Sequence, residues 1–266
     1  MVLPILTSKG LKNSEVRDFL ELKVIEYNRP GFIQNDPISI PHRFSKLQDI
    51  EIAGLFAAVL AWGQRKTILI KCGELLQMMD NTPHDFVLNY TESDLKPFVD
   101  FKHRTFNATD TLYFMHWLKW YYNHYESLEE AFKAEGSFDE PIANRISNFY
   151  ALFFSLSDYP SRTKKHIQTP KRRSACKRMN MFLRWMVRKD AAGVDFGVWR
   201  EISARELICP LDLHVDRVAR KLGLIKRKQT DWQAAVELTG VLRSFDATDP
   251  VKYDFALFGL GVEEKF

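Results

Sequence analysis

Apolar residues recur at helical spacing through most of the chain, and this pattern predicts an all-α protein. Runs that alternate apolar and polar residues over the length of a strand are missing, and glycine and proline are sparse. Helices are predicted at residues 14–27, 49–62, 66–79, 109–124, 140–156, 175–188, 212–222, 232–243 and 250–258. The connections between them are mostly short, which is typical of a helical bundle.

The length of the chain favours two lobes within one domain. Its 266 residues exceed the usual size of a single compact lobe, so we expect one bilobed domain with a central cleft. Lobe one covers roughly residues 49–158, and lobe two combines the amino-terminal segment with roughly residues 159–266. The helix at 49–62 is apolar over a wide arc that includes Leu55, Phe56 and Val59, so it is predicted to form the buried hub of lobe one.

No apolar run reaches the roughly 18 residues that a membrane span needs. Residues 1–10 lack the basic start and apolar core of a secretory signal. We therefore expect a cytoplasmic monomer that makes no contact with membranes.

The cysteines and histidines predict neither a metal site nor a cofactor. Cys72, Cys176 and Cys209 lie far apart, so they form no disulfide framework and no metal-binding C-x-x-C pair. The seven histidines show no recognisable metal spacing.

The charge distribution points to a polyanionic partner. The formal net charge is +4, yet residues 159–189 contain no acidic residue, so the remainder of the chain is net acidic. The basic residues in this stretch are Arg162, Lys164, Lys165, Lys171, Arg172, Arg173, Lys177, Arg178, Arg184, Arg188 and Lys189. Such a concentration is typical of proteins that bind nucleic-acid phosphates, although a solvated, flexible loop has the same composition. Residues 159–174, which we call the basic segment, include Pro160 and Pro170 and are predicted to form a loop.

The most specific local pattern is the segment 209–224, with the sequence CPLDLHVDRVARKLGL. Pro210 and Asp212 indicate the start of a helix, and Gly223 indicates its end. The pattern alone predicts that Asp212 is an N-cap, a role worth about 1 kcal/mol of stability.

This segment resembles the helix-hairpin-helix DNA glycosylases, a superfamily that includes endonuclease III and the 8-oxoguanine glycosylases. The shared pattern is D-x-H-V-x-R-V followed by R-K-L-G, and it contains Asp212, His214 and Arg217. Residues 51–66 are similar to an early buried helix of these enzymes, and residues 254–261 are similar to their closing helix. The whole chain also resembles a bacterial family that has no established activity.

The resemblance implies a two-lobed helical fold and a catalytic pair. It makes Asp212 the carboxylate that stabilises the cationic sugar, and it makes Lys177 the nucleophile that attacks C1′ and forms a Schiff base. The segment 170–177 before that lysine is basic and free of glycine, so phosphate contacts would come from side chains rather than from a glycine-rich hairpin.

The remaining candidate residues are assigned to nucleic-acid binding. These are Gln64, Arg65, Lys66, Lys171, Arg172, Arg173, Arg178, His214 and Arg217. Trp62 is a candidate for the plug that fills the gap left by a flipped base, although a tryptophan at a helix end can equally close the core.

The sequence therefore predicts a base-excision DNA glycosylase with abasic-site lyase activity, acting on a damaged base such as an oxidised purine. The expected partner is duplex DNA, with structured RNA left open. The main alternative is a nucleic-acid-binding module of the same fold without catalysis. A metal site formed by Asp212, His214 and Asp216 is disfavoured, because a helix turns about 100° per residue and directs His214 away from the two carboxylates.

Overall fold

The computed structural model describes residues 13–266, and within that range all regular structure is helical apart from one isolated bridge between His103 and Phe106. The α-helices are α1 (Asn13–Tyr27), α2 (Leu47–Leu60), α3 (Arg65–Gln77), α4 (Pro83–Asn89), α5 (Ala108–Tyr122), α6 (Pro141–Phe153), α7 (Lys177–Val187), α8 (Leu213–Lys221), α9 (Trp232–Phe245) and α10 (Tyr253–Val262). The prediction of an all-α protein is confirmed for the described residues. Residues 1–10, for which the sequence predicted no secretory signal, lie outside them.

Short 3₁₀ turns lie between the α-helices. They span Pro30–Asn35, Pro37–Ser39, Pro41–Arg43, Lys96–Asp100, Leu128–Ala131, Ser161–Lys165, Pro170–Arg172, Ala204–Glu206 and Pro250–Lys252. Two differences from the sequence prediction follow. First, helix α4 was not predicted. Second, the last helix begins at Tyr253 rather than at residue 250, because Pro250–Lys252 form a 3₁₀ turn, and it continues to Val262.

The chain divides into two compact units. The terminal unit contains the described residues up to Phe32 together with Arg173–Phe266, and the central unit contains Ile33–Arg172. Within residues 13–266, no helix has both the length and the apolar character that crossing a membrane requires.

Helix α2 forms the core of the central unit, as its wide apolar arc predicts. Every residue from Ile50 to Leu60 is buried, including the charged residue Glu51. The carboxylate of Glu51 accepts hydrogen bonds from Tyr122 Oη at 2.9 Å, Ser127 Oγ at 2.5 Å and the Leu128 amide at 3.1 Å. A buried charge is tolerated when its oxygens are hydrogen-bonded in this way, so Glu51 holds α2 to α5 and to the turn that follows α5.

In the terminal unit, α10 packs against both α1 and α8. Its apolar sequence contains two glycines at the contacts, where a side chain would not fit. A Cβ atom at Gly259 would overlap the ring of Tyr27, and one at Gly261 would lie 2.9 Å from Cβ of His214. This close packing fixes the amino-terminal end of α8 and, with it, the position of Asp212.

Candidate active site

Helix α7 begins at Lys177 after a turn that contains no glycine. Arg173 and Cys176 adopt left-handed backbone conformations, with φ of 56° and 52°. Non-glycine residues pay a modest energetic cost there, which surrounding contacts must offset. The Cys176 amide donates to Ser174 Oγ at 3.1 Å, and Asn180 Nδ2 donates to the Ala175 carbonyl at 3.1 Å. Polar side chains therefore hold this glycine-free turn in place.

Asp212 is the N-cap of α8, as the sequence pattern predicts. Its backbone is extended, and its Oδ1 atom accepts hydrogen bonds from the amides of His214 and Val215, both at 2.8 Å. These contacts satisfy two of the amides that a helix start leaves without partners. The side chain is thereby held in one orientation.

The two predicted catalytic residues face each other. Nζ of Lys177 lies 3.8 Å from Oδ2 of Asp212, the oxygen that does not cap α8. The Lys177 side chain is 30% exposed and that of Asp212 is 12% exposed, so the pair is shielded but reachable from solvent. The Asp212 carboxylate thus caps α8 with one oxygen and lies near the Lys177 amine with the other.

An ionic cluster, not predicted from the sequence, lies in the same unit. Its members are Arg184, Arg188, Asp190, Asp195, Asp249 and Asp254. The sequence contained one signal of it, because Asp254 lies within the apolar closing helix, where a carboxylate needs a buried partner. Identifying that partner needed tertiary contacts.

Asp254 connects this cluster electrostatically to Lys177 and Asp212, the candidate catalytic pair. Burial raises the pKa of Asp254 to about 7; the positive charge of Arg184 opposes this shift, and the negative charges of Asp212 and Asp195 add to it. Lys177 also acts on Asp254, in the lowering direction. A carboxyl with so high a pKa beside two candidate catalytic groups is typical of functional sites.

The cluster corrects one part of the sequence interpretation. Arg184 and Arg188 were counted among the basic residues that indicate a polyanionic partner, but both are buried and paired with aspartates. Arg162 contacts Asp110 in the central unit. The exposed charge of the basic stretch is therefore smaller than its composition suggests, because these guanidiniums have partners within the chain.

Three of the four predicted nucleic-acid contacts within residues 171–178 remain well exposed. Lys171, Arg172 and Arg173 are exposed, whereas Arg178 is half-buried. Burial lowers the pKa of the Arg178 guanidinium to about 10.

His214 and Arg217 have partners within the terminal unit. The carbonyl oxygen of Gly261 lies 3.3 Å from His214 Nδ1 and accepts a hydrogen bond from Arg217 Nη2 at 2.7 Å. Arg217 Nε also donates to the carbonyl of Phe266 at 3.1 Å. Both side chains therefore attach α8 to the end of α10, a contact that the sequence did not predict.

The remaining candidates lie in the central unit, at the start of α3 and just before it. Gln64 and Lys66 are exposed, and Arg65 is partly exposed. Trp62 is half-buried. The centre of its ring lies 4.9 Å from the guanidinium carbon of Arg104 and 5.8 Å from the centre of the His103 ring, which is nearly perpendicular to it. The base-plug role of Trp62 stays a prediction, and the structure shows a ring that is already in contact on two sides.

The basic segment is anchored at its first turn. Asp110, fully buried near the start of α5, contacts Arg162, accepts a hydrogen bond from Thr163 Oγ1 at 2.8 Å, and lies 3.2 Å from His166 Nε2. The segment is irregular, as predicted, but this carboxylate fixes it to α5.

The side chains of the alternative metal site have separate partners. Asp212 caps α8, His214 contacts Gly261, and Asp216 binds Arg220 through both oxygens at 2.9 Å. Among the residues that the structure describes, no group of three or more His, Cys, Asp or Glu side chains is arranged to hold a metal ion.

A family model described as a protein of unknown function (DUF2400) matches residues 36–263. The chain belongs to the DUF2400 family. The DUF2400 match includes α2 through the last helix, and therefore both Lys177 and Asp212. No curated protein and no solved structure matches the chain. The DUF2400 description names no activity, so a functional argument for this protein depends on the chemistry of its own residues.

Proposed function

We propose that this protein is a base-excision DNA glycosylase of the helix-hairpin-helix type with abasic-site lyase activity. The observation that carries the proposal is the 3.8 Å separation between Lys177 Nζ and Asp212 Oδ2 at the starts of two helices. An amine that can act as a nucleophile and a carboxylate that can stabilise positive charge are the two groups that this chemistry requires.

Lys177 acts as the nucleophile. Its neutral amine bonds to C1′ of the damaged nucleotide, and the bond from C1′ to the base breaks. The electron pair of that bond leaves with the base, which takes up a proton. The amine nitrogen loses a proton and the sugar ring opens, with its oxygen leaving as a hydroxyl, so that a protonated Schiff base joins Lys177 to C1′. Loss of a proton from C2′ then expels the 3′ phosphate.

Asp212 stabilises the positive charge that develops on the sugar as the base departs. Its cap on α8 fixes the carboxylate before the substrate arrives, so little reorganisation is needed when charge forms. Because this charge is larger in the transition state than in the bound substrate, the contact accelerates the reaction rather than merely tightening binding.

The proposed substrate is a damaged base, such as an oxidised purine, in duplex DNA. Lys171, Arg172 and Arg173 support this partner, since they are exposed cations just before α7. The target base must leave the stack, at a cost of a few kcal/mol that is smallest for damaged or mispaired bases.

A second candidate is a nucleic-acid-binding module without catalysis. The exposed cations Lys171, Arg172 and Arg173 favour it, because they can contact phosphates without any catalytic group.

Borohydride trapping on duplexes that carry an abasic site or 8-oxoguanine distinguishes these candidates. The wild type is compared with Lys177→Ala, with Asp212→Asn and with Lys226→Ala, a control at an exposed lysine of the same unit. We expect wild type and Lys226→Ala to form the adduct, Lys177→Ala to form none, and Asp212→Asn to react more slowly by about 10²-fold or more. An adduct that persists in Lys177→Ala excludes Lys177 as the nucleophile. Salt-sensitive binding without an adduct or base release in the wild type favours the binding module.

A further inference from the structure

Arg184 on α7 holds two carboxyl groups in the terminal unit. Its Nε atom donates to Oδ1 of Asp195 at 3.2 Å, and its Nη1 atom contacts Oδ2 of Asp254. All three residues are buried. Asp254 therefore shares the guanidinium of Arg184 with Asp195.

Arg188, four residues after Arg184, contacts three carboxyl groups. It contacts Asp190 at 2.7 Å, Asp195 at 3.1 Å and Asp249 at 2.8 Å. The ionic cluster thus contains two guanidiniums and four carboxyl groups. An excess of negative charge in a buried site is unfavourable, and a proton on one carboxyl reduces it.

The contacts of the four acids indicate which of them holds that proton. Asp195 accepts from both arginines, and Asp249 lies 2.8 and 3.1 Å from the same Arg188 Nε. Asp190 is partly exposed and accepts from Arg188, from Asn28 Nδ2 and from the Ala192 amide.

Asp254 differs from the other three acids because it combines near-complete burial with contact to a single arginine. It is 5% exposed and shares Arg184 with Asp195, and its other oxygen lies 4.0 Å from the thiol sulfur of Cys209. Asp212 adds a further negative charge from the start of α8. Both the burial and the charges favour a neutral carboxyl at this position.

We propose that Asp254 is a positioning residue that carries a proton at neutral pH, so that Asp212 is the anionic carboxyl that acts on Lys177. The catalytic part of this inference rests on the proposed function, but the protonation of Asp254 does not depend on it. The raised pKa of Asp254, about 7, agrees with the geometry.

The charged groups around Asp254 come from several elements. Arg184 and Lys177 face it from α7, Asp195 from the loop after α7, and Cys209 and Asp212 from the segment leading into α8. On the α1 side, the neighbouring residues Tyr253 and Lys252 both contact Glu21.

Ionisation of Asp254 adds a second negative charge beside the catalytic pair. That charge favours the ammonium form of Lys177, which is not a nucleophile, so it opposes adduct formation as the pH rises. Asn has the shape of a protonated Asp and stays neutral at every pH. The Asp254→Asn variant therefore reproduces the proposed state of the wild type and retains it in alkaline solution.

The first test is the stability of the free protein, measured by urea unfolding from about pH 5 to about pH 8.5. A carboxyl with a raised pKa binds its proton more tightly in the folded chain, so stability falls as pH rises from its ordinary value of 3.8 towards about 7. We expect the wild type to lose stability relative to Asp254→Asn across this interval. Asp190→Asn is the matched control from the same cluster. Although burial alone would raise the pKa of Asp190, Asn28 and Arg188 lower it overall, so its replacement is expected to reduce stability at neutral pH.

The opposite result for Asp254→Asn overturns the proposal. If its stability deficit grows with pH, or if it fails to fold where the wild type folds, then Arg184 requires an ionised partner at Asp254. This arm uses no DNA, so it remains decisive even if the protein forms no adduct.

The second test is the rate of borohydride trapping on an abasic duplex at about pH 6 and about pH 8.5. We expect the ratio of the Asp254→Asn rate to the wild-type rate to increase about threefold between these pH values, as a partly screened charge interaction implies. An unchanged or falling ratio overturns the positioning role. A wild type that forms no adduct at either pH contradicts the proposed function, and the stability arm then reports separately on the proton of Asp254.

Discussion

The amine nitrogen of Lys177 lies 3.8 Å from Oδ2 of Asp212, while Oδ1 of the same carboxylate accepts the amides of His214 and Val215. The two oxygens therefore have different partners. Asp212→Ala removes both contacts, whereas Asp212→Asn removes only the charge, so the two variants are expected to differ in their free energy of unfolding. This difference separates the contribution of Asp212 to stability from its proposed role in the chemistry.

Asp212→Ala is expected to lower the free energy of unfolding by about 1 kcal/mol, because α8 loses its N-cap. Asp212→Asn is expected to cost less, since asparagine caps helices about as well as aspartate. Urea unfolding of both variants measures the difference. Equal losses in the two variants would show that the cap contributes nothing measurable and that the charge of Asp212 stabilises the fold.

Gly259→Ala is expected to destabilise the protein by about 1–3 kcal/mol, because its Cβ would overlap the Tyr27 ring where α1 packs on α10. The control is Gly240→Ala in α9, where a Cβ meets no atom within 4 Å. That variant is expected to gain about 0.5–1 kcal/mol, since alanine favours the helix over glycine. Thermal unfolding checks both signs, and a stabilised Gly259→Ala would contradict the tight contact.

The sequence predicted the helices because each has enough buried apolar positions to show its period. The segment 212–222 became α8 (Leu213–Lys221), with Asp212 at its predicted cap. Helix α4 (Pro83–Asn89) was missed because a seven-residue helix with two buried residues, Pro83 and Val87, has no readable period.

The candidate site was predicted only in part. The pairing of Lys177 with Asp212 came from the resemblance, and local pattern alone predicted no more than a cap and a basic residue. The partners of Arg184 and Arg188 come from distant parts of the chain, so their charges appeared in the sequence as surface charge. The contact of Arg217 with Gly261 is hidden for the same reason.

Asp110→Asn is expected to destabilise the protein by about 1–3 kcal/mol at neutral pH, because Arg162 loses its anionic partner and the buried hydroxyl of Thr163 loses a charged acceptor. Burial alone would raise the pKa of Asp110, but its contacts with His166 and Thr163 and with the Asn107 amide lower it overall. A carboxyl with a lowered pKa stabilises the fold above its ordinary value of 3.8, and this stability is lost as the pH falls through the folded value.

The difference between wild type and Asp110→Asn is therefore expected to shrink as the solution is acidified below about pH 4. Urea unfolding across that range measures it. Asp139→Asn, at an exposed position of the same unit, serves as a control with little expected change. A difference that stays constant with pH would show that Asp110 acts through its shape rather than its charge.

The double variant Lys171→Ala with Arg172→Ala is expected to bind duplex DNA less tightly and with a weaker dependence on salt. Each phosphate contact contributes about 0.9 to the slope of log affinity against log salt concentration, so removing two lowers its magnitude by about 2. The control double variant, Lys96→Ala with Lys102→Ala, removes two exposed lysines of the same unit outside the basic segment. Fluorescence anisotropy at several salt concentrations gives both slopes.

Equal losses in the two double variants would mean that binding follows total charge, whereas a loss confined to the first variant identifies the basic segment as the surface that contacts the phosphates. Because the salt slope depends on cations rather than on the nucleophile, Lys177→Ala is expected to lower it by at most about 1 even where adduct formation is abolished.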